Sequence, residues 1–286
     1  MYNIYPEDLF REVSNKYYDS LLKGIPEFDF FLLKDEFKTQ SDHPVWTTYA
    51  KEYTRTLINN FNDFSILIYR LHLLDKIIQE YSDKDQLELR REFTQMRLYC
   101  CLLRPNEFNN SLKFMSYNLC HQASRIIDPS YLDSDRQLKN TKEKMGSQHW
   151  ESVKNLNRLI KDMAEFDELT QRFRHRSQHD LPPLLEIGLS NFVARDKNTS
   201  IEEAIDPDSL DILLSDLNID QNSCAEFMAS GSKVTKYRFG YAPPLTSRDM
   251  IPVLLKERDK MKKRFYAYWE LVKEQDSAIL NSNLKP

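Results

Sequence analysis

The side chains able to do chemistry gather in one short segment, Arg174-His175-Arg176-Ser177-Gln178-His179. A guanidinium is a permanent cation that clamps the non-bridging oxygens of a phosphate. An imidazole titrates near neutral pH and moves a proton. Together they meet the needs of RNA phosphodiester cleavage: a base for the 2′-hydroxyl, an acid for the leaving oxygen, and positive charge on the phosphate as the transition state gathers electrons. His179 can be base or acid, Arg174 can hold the phosphate, and His175 can support either. Arg172, Arg176, Lys161 and Arg158, together with Lys154, are the candidates for a local basic lip that binds substrate. The bland alternative is that Arg and His collect at a helix C-terminus because the helix dipole favours cations there.

This chemistry needs no metal, and no cofactor is expected. His175 and His179, four apart, could ligate a metal from one helical turn. The chain has no Glu-x-x-His pair, however, which excludes a di-iron carboxylate bundle of the familiar kind. Spacing sets a constraint of its own. Residues five apart lie about 140° apart around an unbroken helix. Arg174 and His179 therefore converge only if the helix ends between them, or if two copies meet across a symmetric interface. The nearby Pro182-Pro183 favours the first route, and a two-fold dimer would supply the second.

The elements that must position this segment read as helices. Residues 6–24 form a first helix between Pro6 and Gly24, followed by a packed aromatic connection over 25–37. Ser41-Asp42-His43-Pro44 opens a long helix, with Asp42 as its N-cap. Leu57, Phe61, Phe64, Ile68, Leu71 and Ile78 make its core-facing stripe. Pro105 is expected to stop a helix over 86–103, and another follows over 108–127. The strongest helix of the second half carries Trp150, Val153, Leu156, Ile160, Met163, Phe166 and Leu169 and feeds directly into the arginine-histidine segment. A short helix is expected after Pro183, with Leu184, Leu185, Ile187, Leu189, Phe192 and Val193. Loops, a short helix over 210–217 and an extended arm at Tyr237, Phe239 and Tyr241 come next. Ser247 then caps a final helix over 248–276, and the tail from Ser277 to Pro286 is expected to fray.

Composition agrees with an all-α fold. The chain has 286 residues, 41% hydrophobic and 29% charged, enough for a sizeable core, with 16 Phe and 15 Tyr for broad helix packing. Its 5 glycines are too few for the turns of an all-β protein of this size. The formal net charge of −4 argues against a general nucleic-acid coating protein, so any RNA contact must be local. Neither a secretory signal nor the roughly 20 apolar residues of a membrane span is visible, so no membrane association is expected and a cytoplasmic location is the default. Cys100, Cys101, Cys120 and Cys224 show no Cys-x-x-Cys pair and read as buried free thiols.

The arginine-histidine segment resembles the HEPN domains, helical bundles whose ribonuclease members carry an arginine, a polar residue and, after four to six intervening positions, a histidine. Arg174 to His179 matches the four-residue spacing, with His175 in the polar slot, and the long helices that precede it fit the same pattern over residues 44–196. The resemblance implies a HEPN-like bundle over 44–196, with an N-terminal extension over 1–43 and an irregular segment and C-terminal helix over 197–286. It also implies a metal-independent endoribonuclease that cuts RNA, and a homodimer whose two motifs share a cleft. A role as a toxin or in phage defence follows from it, with an antitoxin as possible protein partner. Some members are inactive, so the rival expectation is a non-catalytic interaction or dimerisation module.

Three further groups stand out. Asp75, near His72, either continues the buried stripe and needs a cation, for which Arg174 is a candidate, or lies solvated beyond Leu74. Lys233, Lys236, Tyr237, Arg238, Phe239 and Tyr241 interleave bases with aromatics as single-strand binders do, or form a packing arm. The charge run from Lys256 to Arg264 reads as a solvated face.

Overall fold

The computed structural model describes residues 7–23, 37–128, 150–179, 183–188, 190–200 and 233–282. The chain divides into two units. One comprises residues 1–187 and 245–286, the other residues 188–244. The expected helix over 210–217 lies outside the described residues.

Among its described residues the first unit is all-α. Its helices are α1 (Glu7–Leu22), α2 (Pro44–Ile78), α3 (Asp83–Leu89), α4 (Gln95–Ile127), α5 (Glu151–Lys161), α6 (Ala164–Leu169), α7 (Phe173–His179) and α8 (Ser247–Ser282). A π-helical turn, Arg90–Thr94, joins α3 to α4. The long helices α2, α4 and α8 pack on one another, and α5 lies along α8. Between them they bury the stripe read from the sequence, from Leu57, Phe61, Phe64, Ile68 and Leu71 to Val153, Leu156 and Ile160. Among the described residues no helix is long and apolar enough to cross a membrane.

Several boundaries differ from expectation, each for a physical reason. The α2 cap is His43, not Asp42. Its Nδ1 accepts from the Trp46 N–H at 3.5 Å, leaving the next position free for Pro44. Pro105 does not end a helix, since α4 runs through it. The buried residues Leu98, Cys101, Leu102, Pro105, Phe108 and Leu112 stay in phase across the proline, and their burial against α2 and α8 outweighs a proline cost of about 3 kcal/mol. Thr246, not Ser247, caps α8: its hydroxyl accepts from the Asp249 N–H at 3.2 Å and donates to the Asp249 carboxylate at 2.6 Å. The same helix continues to Ser282, because Ile279 is buried where a frayed tail is expected.

The second unit replaces the short helix expected after Pro183. Leu185 instead bridges Leu245, and Ser190–Ser200 forms strand β1, paired antiparallel with β2 (Lys233–Ala242). The apolar cluster at 184–193 has helical and extended readings alike, and only pairing with β2, where the extended arm is expected, decides between them. Cys101 and Cys120 are free and buried, and burial pushes both thiols well up; Cys224 lies outside the described residues.

The charge run over 256–264 is not simply a solvated face. Glu257 and Arg264 are both buried and paired with each other. Arg264 also donates through Nε to the Leu159 carbonyl and through Nη2 to the Asp162 carbonyl, both at 2.9 Å, closing the C-terminus of α5. Burial raises the Glu257 carboxyl, against the pull of Arg264. Arg264→Met strands the Glu257 charge in the core and should cost about 3–5 kcal/mol in urea denaturation. Adding Glu257→Leu should restore part of that loss; a double variant weaker than the single one would contradict this account.

A second buried charge group closes the base of α8. Asp75 is buried and is met by Arg90 at 2.7 Å, not by Arg174. Arg90 also donates to Ser247 at 3.0 Å and stands 3.6 Å from the second carboxylate, Glu186. One guanidinium thus faces two buried carboxylates. Thr94 Oγ1 lies 2.9 Å from the Arg90 carbonyl and 2.7 Å from Glu186 Oε1. A hydroxyl has one proton, so both contacts are satisfied when a protonated Glu186 donates to Thr94 and Thr94 donates to the carbonyl. The Ser247 N–H gives Oε1 a further bond at 3.2 Å, while Oε2 has no hydrogen-bond partner. Desolvation raises the Glu186 carboxyl, outweighing Thr94, Ser247 and the already committed Arg90. With its folded value raised, Glu186 contributes stability below the unfolded carboxyl range and loses it as pH rises through the folded value. Glu186→Gln mimics the protonated form, so the variant should gain on the wild type as pH rises from about 4 to 8 in urea midpoints. A variant that loses ground to the wild type over that range would refute the neutral assignment.

Candidate functional site

The arginine-histidine segment does not grow out of one long helix. The expected helix from Trp150 to Leu169 is broken twice. At the first break, Asp162 (φ −78°, ψ 54°) centres an inverse γ-turn, with the Met163 N–H on the Lys161 carbonyl at 2.9 Å. Arg264 holds the freed carbonyls on one side of this break. On the other, Lys256 and Lys260 of α8 engage Glu165 of α6, the second at 3.1 Å.

The second break follows α6 and is a Schellman motif. The Arg172 N–H donates to the Asp167 carbonyl at 2.5 Å, and the Gln171 N–H to the Glu168 carbonyl at 2.9 Å. This geometry demands a left-handed residue, usually glycine. Here Gln171 and Arg172 both take it, at φ 52° and 53°. Two consecutive non-glycine residues in that region store strain of about 1–2 kcal/mol each. Phe173 then anchors α7 on α4, buried and edge-on to Tyr99 at 5.5 Å between ring centroids.

The outcome is a cavity of about 440 Å³ between α4, α6 and α7, lined by Asn106, Asp167, Arg172, Arg174, His175 and Gln178. Arg172 is exposed and Arg174 half-buried, and among the described residues neither forms an ion pair. Two guanidinium groups and one imidazole thus share a solvent-accessible recess, an arrangement suited to a phosphate and to proton transfer beside it.

Not every expected residue arrives there. Arg176 is half-buried and does not line the cavity. Arg158 is exposed on α5 and donates to Asn155 at 3.1 Å; Lys161 and Lys154 are also exposed on α5, away from the cavity lining. The reason is the double break. On a continuous helix these residues and the motif would follow one periodicity, whereas the turns at 162–163 and 170–172 reset the phase twice. His179 is the last residue of α7, and its imidazole lies outside what the structure describes. The helix does not end between Arg174 and His179, so the first route to their convergence is overturned: one chain holds the two positions about 140° apart.

Comparison with protein-family models, curated proteins and solved structures gives no match for this chain. Two lining residues, Asn106 and Asp167, escape a reading of the sequence. Asn106 follows a proline expected to end its helix, and Asp167 sits on a turn whose usual glycine signal is missing.

The strained turn is open to direct test. Gln171→Gly places the preferred residue at the left-handed position and should raise the denaturation midpoint by the equivalent of about 0.5–1 kcal/mol, after the greater unfolded-state entropy of glycine is offset. Loss of stability would mean that the turn is not left-handed at 171.

Proposed function

We propose that this protein is a metal-independent endoribonuclease of the HEPN type, acting on single-stranded RNA from the cavity between α4, α6 and α7. The observation that carries the reading is the meeting of Arg172, Arg174 and His175 in one recess, with no ion pair among the described residues to occupy either guanidinium. Arg174 and Arg172 hold the non-bridging oxygens of the scissile phosphate. An imidazole removes the 2′-hydroxyl proton, the 2′-oxygen attacks phosphorus, and the 5′-oxygen leaves with a proton from a second acid. The products are a 2′,3′-cyclic phosphate end and a free 5′-hydroxyl.

The assignment of the imidazoles follows from α7. His175 lines the cavity beside Arg174 and is the proton carrier within one chain. His179 is held about 140° around the helix from Arg174, so a two-fold homodimer is the route by which it reaches the same phosphate from the other copy. A role as a toxin or in phage defence, with an antitoxin as its restraint, belongs to the same reading.

Purified protein should cut unstructured RNA in the presence of EDTA. His175→Ala and Arg174→Ala should each lower the rate about 10²–10⁴-fold with the helical circular dichroism unchanged. His179→Ala should do the same, and a mixture of His179→Ala with Arg174→Ala should regain activity through mixed dimers. Full activity in His175→Ala would remove the role given to that imidazole, and no cleavage by the wild type would leave a helical interaction module instead.

A further inference from the structure

The recess holds one group that phosphate chemistry does not ask for. Asp167 lines it together with Arg172 and Arg174, yet among the described residues its carboxylate pairs with neither. A carboxylate beside a bound phosphate repels it. Donors from the ligand that meet the carboxylate would offset that repulsion. Asn106, from α4, supplies an amide to the same recess.

Resting on the ribonuclease reading, we infer that Asp167 is a specificity-determining residue that selects guanine next to the bound phosphate. The four base edges separate cleanly against a carboxylate. Guanine alone presents two adjacent donors on its Watson–Crick edge, N1–H and the N2 amino group, one for each carboxylate oxygen. Its O6 then accepts from the Asn106 amide. Adenine and cytosine each place an acceptor nitrogen beside their amino group, so one carboxylate oxygen meets a lone pair. Uracil has one N–H between two carbonyls. RNA-binding proteins read single-stranded bases on these edges once the bases are unstacked. The cavity, about 440 Å³, lies in the range of roughly 300–1,000 Å³ usual for small-ligand sites. That suits one splayed nucleotide and excludes a duplex.

The strained turn places these groups. Asp167 and Arg172 are tied through their backbones by the 2.5 Å bond that closes α6, with the left-handed Gln171 and Arg172 making the bend. One turn therefore ties together the backbone positions that carry the base-reading carboxylate and a phosphate-holding guanidinium, which gives the strain a use.

The test is binding of mononucleotides to the intact chain, followed by NMR or calorimetry, with 3′-GMP, 3′-IMP, 3′-AMP and inorganic phosphate as probes. Wild type should favour 3′-GMP over 3′-AMP by at least about 10-fold, with 3′-IMP, which lacks the N2 amino group, between them. Asp167→Asn should bring 3′-GMP down to the level of 3′-AMP and leave inorganic phosphate bound as well or better. Arg174→Ala should weaken inorganic phosphate and both nucleotides together while keeping the 3′-GMP to 3′-AMP ratio. Equal binding of 3′-GMP and 3′-AMP by wild type, or an unchanged ratio in Asp167→Asn, would overturn the assignment, even if RNA is cut. Guanine preference without RNA cleavage would support it while removing the nuclease reading.

Discussion

The grip of α8 on both ends of α5 is the constraint on which the candidate site depends. At the N-terminus of α5 the Glu274 carboxylate accepts from the Glu151 and Ser152 N–H groups, at 2.9 and 3.0 Å. At the C-terminus Arg264 donates to the Leu159 and Asp162 carbonyls. Glu274 and Arg264 are ten residues apart, about 15 Å along α8, close to the length of an eleven-residue helix. The negative group meets the positive end of the α5 dipole, and the positive group meets the negative end. This fixes both where α5 stops and which way it runs. Glu257 pairs with Arg264 in the core and so gives the buried guanidinium a counter-charge.

Everything towards the recess follows from that stop. Because α5 ends at Lys161, α6 starts in a new phase and is tied to α8 through Glu165. Because α6 ends in a Schellman motif with no glycine, Gln171 and Arg172 carry left-handed strain, and the chain turns towards α4. Phe173 seats α7 on Tyr99, and Arg174, His175 and Gln178 line the recess. A buried ion pair contributes little net stability compared with a hydrophobic pair of similar volume. Here its value lies in the direction it gives to a helix end. The Asp75, Arg90 and Glu186 group performs a related task at the base of α8. There, Glu186 centres a strained turn (φ 65°, Ile187 N–H to Leu185 carbonyl at 2.7 Å) from which residues 188–244 leave the bundle.

Much of the bundle was legible in residue spacing. The Leu57 to Ile78 stripe, the Trp150 to Phe166 stripe and the long final helix all lie where period 3.6 puts them. The errors occur where local propensity and tertiary packing disagree. Pro105 has the signature of a stop and sits mid-helix, because both flanking stripes are buried in phase. Leu169 matches the apolar period and is exposed, as the last residue of α6 before the turn at 170–172. The Leu184 to Val193 cluster suits helix or strand, and pairing with β2 decides it.

The sequence by itself determined that the chain is built mainly of amphipathic helices and that Arg174 and His179 cannot share a face of one straight helix; it also singled out Arg174, His175 and His179 by side-chain chemistry. Those conclusions need only periodicity and side-chain chemistry, which are local. The tertiary structure alone decided that Asp75 answers to Arg90, that Lys161 and Arg158 stay away from the motif, and that Asn106 and Asp167 join it. The last two depend on where a helix breaks. The first break is held by Arg264 and Lys260, about a hundred residues away along the chain from the carbonyls and carboxylate they meet, and no local pattern carries that information.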